Sequence, residues 1–413
     1  MDLLISGGNV IDPGAGLRDK MDVAVDGGRI TAVEPGIDPG PAAEVVDATG
    51  LVVLPGLIDL HTHSYWGATF WGIRPDPVAA RSGVTTWVDA GSAGAYNLPG
   101  LIRFIAEPSA IRLRCFVNIS CVGLTARTHE VAIPEYCDVE ALIASVERYR
   151  ETVAGVKVRI SRETIGGQGV RPLERAVEAA ERLGQPVMVH IGQGPPELEE
   201  VLVRLRPGDV VTHCFTGRSM SLTGSDGRVR EAVLAARQRG VLFDLGHGSG
   251  SFTFASAEAA LSGGFAPDVV SSDIHQLSVG GPVFDLPTCM NKLVSLGADL
   301  EDVITATTRR PAEVLGMYPE IGSLRPGARA DVALFALREG GETPTLYDVT
   351  LESRPASRWL EPVATIAGGR RLTSVEDDPP QPWVKRSGDW QRDHLANNRR
   401  RSSDETGDGA HRR

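Results

Sequence analysis

The chain contains few cysteines and no motif that would pair them. Only five occur among 413 residues, and no two of them form a C-x-x-C pair. A disulfide framework requires an even number of cysteines at regular, close spacing. The sequence therefore predicts reduced thiols, at Cys115, Cys121, Cys137, Cys214 and Cys289.

Long apolar runs and an excess of positive charge are also missing. No run of 18 apolar residues is present, which argues against a transmembrane helix. The opening segment MDLLISGGNVID has neither the basic start nor the long apolar core of a signal peptide. A formal net charge of -11 argues against nucleic acid or an anionic membrane as a partner. We expect a soluble cytoplasmic protein that acts on a small molecule and that can form a homo-oligomer.

The chain is rich enough in apolar residues, at 42%, to bury a large core. Its pattern changes three times. Residues 1–50 show short alternating runs separated by Gly-Gly, Pro-Gly and Asp-Gly turns, which predict a small antiparallel β-unit. Residues 51–320 alternate apolar runs with helical segments, and residues 321–373 return to short strands. Residues 374–413 are polar and charged, as expected for a disordered tail.

The central region contains eight apolar runs with intervening helices, which predicts an α/β fold of the (β/α)8 TIM barrel type. The two flanking regions are expected to combine into a small β-sandwich built from both chain ends. The clearest helices are Pro172–Leu183, Glu197–Leu205, Arg228–Arg239 and a closing helix Asp299–Leu315. The candidate strands are Leu51–His61, Gly83–Asp89, Arg112–Ser120, Val153–Ile160, Pro186–His190, Asp209–Cys214, Val241–Leu245 and Asp268–Ser272.

Two histidines end the first of these runs, LVVLPGLIDLHTH. Because strand side chains alternate between faces, Asp59, His61 and His63 point the same way. Two imidazoles directed at one point favour a metal site, although two packed or solvated histidines would give the same pattern.

Further polar residues occupy the other strands where a barrel would bring them to one mouth. They are Lys157 in the fourth strand, His190 at the end of the fifth, His213 in the sixth, and Asp273 and His275 after the eighth. Four imidazoles and a carboxylate suit Zn²⁺ or a similar divalent cation. Each residue alone has a simpler explanation, since His190 and His213 could be core histidines and Asp273 could cap a turn. The joint pattern favours the metal site.

Lys157 is unusual because it interrupts an apolar strand. A lysine that is buried near a cation-binding cluster loses its charged form, and a neutral amine reacts with carbon dioxide to give a carbamate with two oxygens. The alternative is a buried ion pair with Asp59 or Asp89.

Taken together, these motifs resemble the amidohydrolase superfamily of metal-dependent hydrolases, in the branch that includes dihydroorotase, hydantoinase and D-aminoacylase. The likeness is carried by PGLIDLHTH and by Lys157, His190, His213 and Asp273, and it covers about residues 1–373. The segments GVKVRIS, HCFTG, FDLGHGSGSF and SSDIHQ are most similar to bacterial dihydroorotase-like deacetylases.

The resemblance implies a dinuclear centre that uses two divalent metal ions, with Zn²⁺ expected, and carbon dioxide bound as a carbamate on Lys157. His61, His63 and Asp273 would bind the more buried ion, and His190 and His213 the other, with Lys157 bridging both. A hydroxide between the ions would attack the substrate carbonyl, and Asp273, the catalytic residue, would pass its proton to the leaving group. No organic cofactor is implied.

The resemblance also implies a substrate class, namely N-acyl amino acids or acetyl esters of 2-hydroxy acids. Cyclic amides such as dihydroorotate are the main alternative, but Ser64, Tyr65 and Trp66 follow the His-x-His motif where a dihydroorotase places an Arg and an Asn. A deaminase with one metal and a non-catalytic scaffold are further alternatives. Lys157 argues against the deaminase, and the complete ligand set argues against the scaffold.

Several residues near the mouth are candidate substrate contacts. Arg159 and Arg162 could bind a carboxylate, although an ion pair with a neighbouring acid is the favoured interpretation for both. His247 and His275 could contact substrate or make structural hydrogen bonds. The aromatic residues Tyr65, Trp66, Phe70 and Trp71 could form an apolar wall for a substrate side chain or could simply pack together. Cys214 is expected in the core.

Overall fold

The structure is a computed structural model that describes residues 1–40, 42–341, 343–373, 375–376, 381–382 and 384. The charged tail expected from residue 374 onward lies almost entirely outside this part of the chain. Within it, every helix is too short or too polar to cross a membrane.

The secondary structure alternates strands and helices through the middle of the chain. The strands are β1 (Leu3–Asp12), β2 (Leu17–Asp26), β3 (Arg29–Glu34), β4 (Glu44–Asp47), β5 (Val52–Pro55), β6 (Leu57–Thr62), β7 (Val84–Gly94), β8 (Arg112–Asn118), β9 (Val153–Ile160), β10 (Val187–Ile191), β11 (Val210–Thr212), β12 (Leu242–Asp244), β13 (Val332–Glu339), β14 (Thr345–Tyr347), β15 (Ser353–Pro355), β16 (Arg358–Ala367) and β17 (Arg370–Arg371). The α-helices are α1 (Pro75–Ala80), α2 (Leu98–Leu101), α3 (Val139–Arg148), α4 (Arg162–Ile165), α5 (Arg171–Leu183), α6 (Leu198–Leu202), α7 (Glu231–Gln238), α8 (Phe254–Ser262), α9 (Leu286–Ser295), α10 (Leu300–Thr307) and α11 (Arg309–Val314). A π-helical turn spans Ile102–Ala106, and a 3-10 turn spans Pro134–Tyr136.

Strands β6 to β12 form a curled, seven-stranded parallel sheet in which neighbours in sequence are neighbours in space. This order is the expected result of repeated strand–helix units. Apolar side chains of the strands and of the helices packed on them, such as α3 and α5, form the largest buried cluster of the molecule. Because the strands run parallel, their carboxyl ends lie at one edge of the sheet, where the candidate site residues are found.

The predicted eighth strand does not form a regular strand. Instead, Val269 forms an isolated parallel bridge with Asp244, and Ile274, two residues past the predicted end, forms another with Thr62. The first bridge contacts β12 and the second contacts β6, so the segment joins the two edges of the seven-stranded sheet. The pairing is short because the backbone turns at Asp273, whose φ is 47°.

The first predicted strand, Leu51–His61, is two strands that belong to different sheets. β5 pairs with β1 and β13, and β6 pairs with β7. The break falls at Gly56, whose amide donates to Asp331 O at 2.7 Å, whereas Leu57 donates to Gly83 O at 2.9 Å. Pro55 immediately before it has no amide hydrogen for a ladder, which favours a change of sheet at this point.

The two chain ends meet in one mixed sheet of eight strands, where a sandwich was predicted. Its path runs β17-β16-β13-β5-β1-β2-β3, and β4 pairs with β1. A register shift between Ile5 and Gly8 lets the two halves of β1 pair with β4 and β5 in turn. Strands β14 and β15 form a separate hairpin. The predicted association of both chain ends is therefore present.

The predicted closing helix Asp299–Leu315 is broken into α10 and α11. The break lies at Thr308, whose φ and ψ are -127° and -82°. Pro311 cannot donate a hydrogen bond and would clash with the preceding turn of a continuous helix. The three other predicted helices correspond to α5, α6 and α7, and every end lies within three residues of its predicted position.

Candidate metal centre

Three of the predicted ligands form a compact buried cluster. One ligand atom from each of His61, His63 and Asp273 lies within 4.8 Å of the others. Asp273 Oδ1 is 3.2 Å from His61 Nε2 and 3.0 Å from His63 Nε2. The main chain supports this arrangement, because the Asp273 amide donates to His61 O at 2.7 Å. Two imidazole nitrogens and a carboxylate oxygen that converge in this way can hold a divalent cation.

The far side of each imidazole in this cluster is hydrogen-bonded. His61 Nδ1 lies 2.8 Å from Thr212 Oγ1, and His63 Nδ1 lies 2.9 Å from Ser92 Oγ. Such outer partners orient the ring of a metal-binding histidine. Both rings therefore direct Nε2 toward Asp273.

His190 and His213 form a second group beside the first. His190 Nδ1 lies 2.6 Å from His213 Nε2, and the His213 ring centroid is 5.2 Å from that of His61. His213 Nδ1 donates to Gly246 O at 2.6 Å. Because a carbonyl only accepts, this bond leaves the lone pair of His213 on Nε2. The structure thus brings all four predicted histidines to the same end of the parallel sheet.

Lys157 extends from β9 into the buried region between these groups. Its Nζ lies 3.2 Å from His61 Nε2 and 3.3 Å from Met188 Sδ. A Cβ atom at Gly91 would lie 2.6 Å from Cβ and Cγ of Lys157, so this site needs a glycine to admit the lysine. Burial lowers the pKa of the Lys157 amine to about 7, which makes a large neutral fraction available near neutral pH.

The alternative of a Lys157 ion pair with Asp59 or Asp89 is not what the structure shows. Asp59 accepts from the Ser272 hydroxyl at 2.5 Å and from the Ser272 amide at 3.0 Å. Asp89 accepts from the amides of Ser64 and Ser92, each at 2.7 Å. Both carboxylates therefore hold backbone amides near the site.

Burial also controls the charge of the other site residues. It lowers the pKa of His63 to about 3 and that of His213 to about 4. The pKa values of His61 and His190 lie well below their ordinary range for the same reason. These imidazoles are neutral near pH 7, which is the form that binds a metal.

His213 and Asp273 have left-handed backbone conformations, with φ of 76° and 47°. Such conformations cost energy in residues other than glycine and are concentrated at functional sites. Gly248 lies so close that a Cβ atom there would be 2.2 Å from Asp273 Oδ2. The loop after β12 therefore packs directly against this carboxylate.

Arg159 and Arg162 are placed differently. Arg159 is buried and forms a two-pronged ion pair with Glu130, with N–O distances of 2.6 and 2.8 Å. Its guanidinium carbon also lies 5.8 Å from the centre of the Trp71 ring. Arg162 begins α4 and is exposed. The ion pair expected for Arg159 is therefore present, and its acid is Glu130.

The two additional histidines also differ in their surroundings. His247 is fully buried, and its Nε2 accepts from Lys292 Nζ at 2.7 Å. His275 lies nearer the cluster, with its ring centroid 6.1 Å from His63 and 4.7 Å from Trp71. His275 Nδ1 accepts from the Leu277 amide at 3.1 Å, so the proton of its neutral ring is on Nε2.

The aromatic residues after β6 form two environments. Tyr65 is buried and donates its hydroxyl to Asn97 O at 3.0 Å, whereas Trp66 is 38% exposed. Phe70 and Trp71 pack edge to face, and the indole Nε1 of Trp71 is buried without a hydrogen-bond partner among the described residues. Cys214 is buried, as expected.

Sequence reasoning missed the outer partners Thr212, Ser92, Asp244 and Glu130. Thr212 precedes a predicted ligand, and Asp244 ends an apolar strand, so polar residues in those runs were an available signal. Glu130 lies in a long loop whose path gives no such signal.

A comparison with known proteins places this site in a family. The model of the amidohydrolase family matches residues 52–375. The chain belongs to the amidohydrolase family. A deacetylase from Agrobacterium fabrum is 37% identical over 360 residues, which cover 86% of this chain and 88% of the relative. The family resemblance drawn from the sequence motifs is thereby confirmed, as is the prediction of a hydrolase-type enzyme.

Two solved structures that resemble this chain are enzymes named for different activities. The crystal structure of an adenine deaminase has a TM-score of 0.83 and 33% identity, and covers 91% of this chain and 100% of the other. The crystal structure of a dihydroorotase has a TM-score of 0.82 and 35% identity, with 90% and 98% coverage. This amidohydrolase fold therefore does not by itself decide the substrate.

Proposed function

We propose that this amidohydrolase is a dinuclear metal-dependent deacetylase that cleaves an amide or ester bond of a small molecule. Its substrate would be an N-acyl amino acid or an acetylated 2-hydroxy acid. The observation that carries the proposal is the buried convergence of His61, His63 and Asp273 within 4.8 Å. The 37% identity to a deacetylase over most of both chains supports the choice of reaction.

The residues present fit a pair of divalent cations. His61, His63 and Asp273 would hold one ion, and His190 and His213 would hold the other. The Lys157 amine lies beside His61, and its lowered pKa suits conversion to a carbamate that bridges both. Nitrogen and oxygen donors of this kind favour Zn²⁺, and the His213 tautomer fixed by Gly246 O leaves a lone pair for it.

When bound, two such cations would supply Lewis acidity to the substrate carbonyl and acidify a water molecule. The protein itself would provide proton transfer. Asp273 is held by its backbone bond to His61 O and by the close approach of Gly248. Its carboxylate would accept a proton from the attacking water and deliver it to the leaving nitrogen or oxygen.

The mouth of the site offers groups that could contact an acyl substrate. His275 presents a protonated Nε2, and Trp71 packs against its ring at 4.7 Å. Arg159 lies next to Trp71 and is ion-paired with Glu130. Because Glu130 already neutralises its charge, Arg159 is a poor candidate for binding a substrate carboxylate. We therefore place recognition of the acyl part near Trp71 and His275.

A cyclic amidohydrolase is the second candidate, favoured by the 35% identical dihydroorotase structure. The segment after His63 argues against it. Ser64 is bonded to Asp89 through its amide and hydroxyl, and Tyr65 is bonded to Asn97 O. Neither residue offers the basic and amide side chains that would hold a ring carboxylate.

The test is a substrate comparison on full-length protein supplied with Zn²⁺ and bicarbonate. N-acetyl amino acids of both hands, acetyl esters of 2-hydroxy acids, dihydroorotate and adenine are assayed side by side. We expect acetate release from at least one of the first two groups. Turnover of dihydroorotate or adenine without acetate release from any acetyl compound would overturn the deacetylase assignment.

A further inference from the structure

We propose that Thr212 and Asp244 form a buried relay that fixes the ring proton of His61 on Nδ1, so that Nε2 keeps its lone pair for the metal centre. The inference rests on the proposed function and deepens it. Thr212 Oγ1 lies 2.8 Å from His61 Nδ1 and 2.7 Å from Asp244 Oδ2. The three side chains thus form one continuous chain of hydrogen bonds.

The direction of these bonds follows from the number of protons available. A threonine hydroxyl has one proton, and a carboxylate can only accept. Thr212 must therefore donate to Asp244 and accept from His61. The acceptor role of Thr212 requires the proton of the neutral His61 ring to lie on Nδ1.

A second hydroxyl fixes the position of the carboxylate. Ser271 Oγ donates to Asp244 Oδ2 at 2.8 Å and accepts from the Gly246 amide at 3.2 Å. Because the Asp244 carboxylate can only accept, the Ser271 proton is also committed to Asp244. The carboxylate therefore has two donors on the same oxygen.

Burial of the Asp244 carboxylate lowers the stability of the fold. It is fully buried, and its Oδ1 has no hydrogen-bond partner among the described residues. An unpartnered buried carboxylate oxygen is destabilising. A negative charge 3.7 Å from His61 Nδ1 would strengthen Nε2 as a ligand, which is the established effect of a carboxylate behind a metal-binding histidine.

His63 provides an internal comparison. Its Nδ1 lies 2.9 Å from Ser92 Oγ, but within the described part of the chain no carboxylate accepts the Ser92 hydroxyl. A serine without such a partner can either donate or accept. The relay therefore distinguishes His61 from His63, which lies just after the end of β6.

The first test is the ring tautomer in full-length protein labelled with ¹⁵N-histidine, before and after metal removal. His61 signals are assigned by comparison with His61→Gln. We expect a protonated Nδ1 and an unprotonated Nε2 in the metal-free protein. A protonated Nε2 would overturn the relay, and this result needs no variant of Thr212 or Asp244.

The second test is Zn²⁺ affinity, measured by competition with a chromophoric chelator. Asp244→Asn lets the Thr212 hydroxyl donate to His61, and Thr212→Val removes the acceptor, so each should bind Zn²⁺ about 10–100-fold more weakly. Thr307→Val is the matched control because it also removes the hydroxyl of a fully buried threonine, but that hydroxyl donates to Val303 O and Ile304 O and takes no part in the relay. The control should change Zn²⁺ affinity by less than about threefold. Thr212→Ser keeps the hydroxyl and should bind Zn²⁺ about as tightly as the unmodified protein.

The outcomes separate this inference from the proposed function. If the unmodified protein binds no Zn²⁺, the proposed function fails, whereas the tautomer measurement still decides the relay. If the unmodified protein binds Zn²⁺ and Asp244→Asn binds it equally well, the relay is wrong and the metal centre stands.

Discussion

The two halves of the candidate metal centre are built differently. His61, His63 and Asp273 are tied together by backbone and by outer hydrogen bonds to Thr212 and Ser92. In the other half, His213 is anchored to Gly246 O, but the His190 imidazole hydrogen-bonds among the described residues only to His213, and His190 is half-buried. Preorganised ligands lose less freedom on binding a metal. We therefore expect the first half to bind its metal more tightly.

The largest expected effect comes from removing the negative charge of the first half. Asp273→Asn should lower kcat by about 10³–10⁴-fold, because ligand and proton acceptor are lost together. Steady-state hydrolysis of the best acetyl substrate measures this. Asp268→Asn is a matched control in the same segment, since Asp268 pairs with Arg237 far from the cluster. Near-normal turnover of Asp273→Asn would remove that residue from catalysis.

Lys157→Ala tests the connection between the halves. The variant should lose most bound metal and about 10²-fold or more in activity, with partial recovery in short carboxylic acids that replace the carbamate. Elemental analysis and assays with added acetate or propionate measure both quantities. Lys292→Met is the control, because Lys292 is also a buried lysine but bonds to His247 and Pro282 O. Unchanged metal content in Lys157→Ala would exclude the bridging role.

His190→Asn separates the halves directly. This variant should retain about one metal per chain, held by the first half, and lose about tenfold or more in kcat. Metal content after extensive dialysis provides the readout. His129→Asn, at an exposed histidine, should keep the full content. Complete metal loss in His190→Asn would show that the two halves do not bind independently.

The smallest effect is expected from removing the hydrogen bond between Ser272, the residue before Asp273, and the buried carboxylate of Asp59. Ser272→Ala removes the hydroxyl that bonds Asp59 at 2.5 Å and should reduce the free energy of unfolding by about 1–3 kcal/mol. Chemical denaturation measures this loss, while kcat should stay within about threefold of the unmodified protein. A similar loss in the half-buried control Ser295→Ala would show that the effect is not specific to the buried carboxylate.

The two histidines of the first half were readable from the sequence because their signal is local. His61 and His63 follow an apolar strand two residues apart, and side-chain alternation places them on one face. Lys157 was detectable because a charged residue interrupts a buried strand. Pairing His190 with His213 required the barrel order of the strands, which the repeated strand–helix pattern supplied.

The remaining features depend on contacts that sequence spacing does not reveal. The segment around Asp273 has the composition of a strand, but it makes one isolated bridge before Asp273, at Val269, and one after it, at Ile274. The bond from Arg159 to Glu130 joins a strand to a loop 29 residues away. The role of Asp244 depends on a hydroxyl from the neighbouring strand. Such partners are fixed by tertiary packing rather than by local pattern.

The most direct test of the central claim is the metal content of full-length protein prepared with Zn²⁺ and ¹³C-bicarbonate. The dinuclear account predicts about two Zn²⁺ per chain and a carbamate carbon signal that is absent from Lys157→Ala. One metal per chain with an unmodified Lys157 would contradict it, and would favour a mononuclear enzyme of the deaminase type.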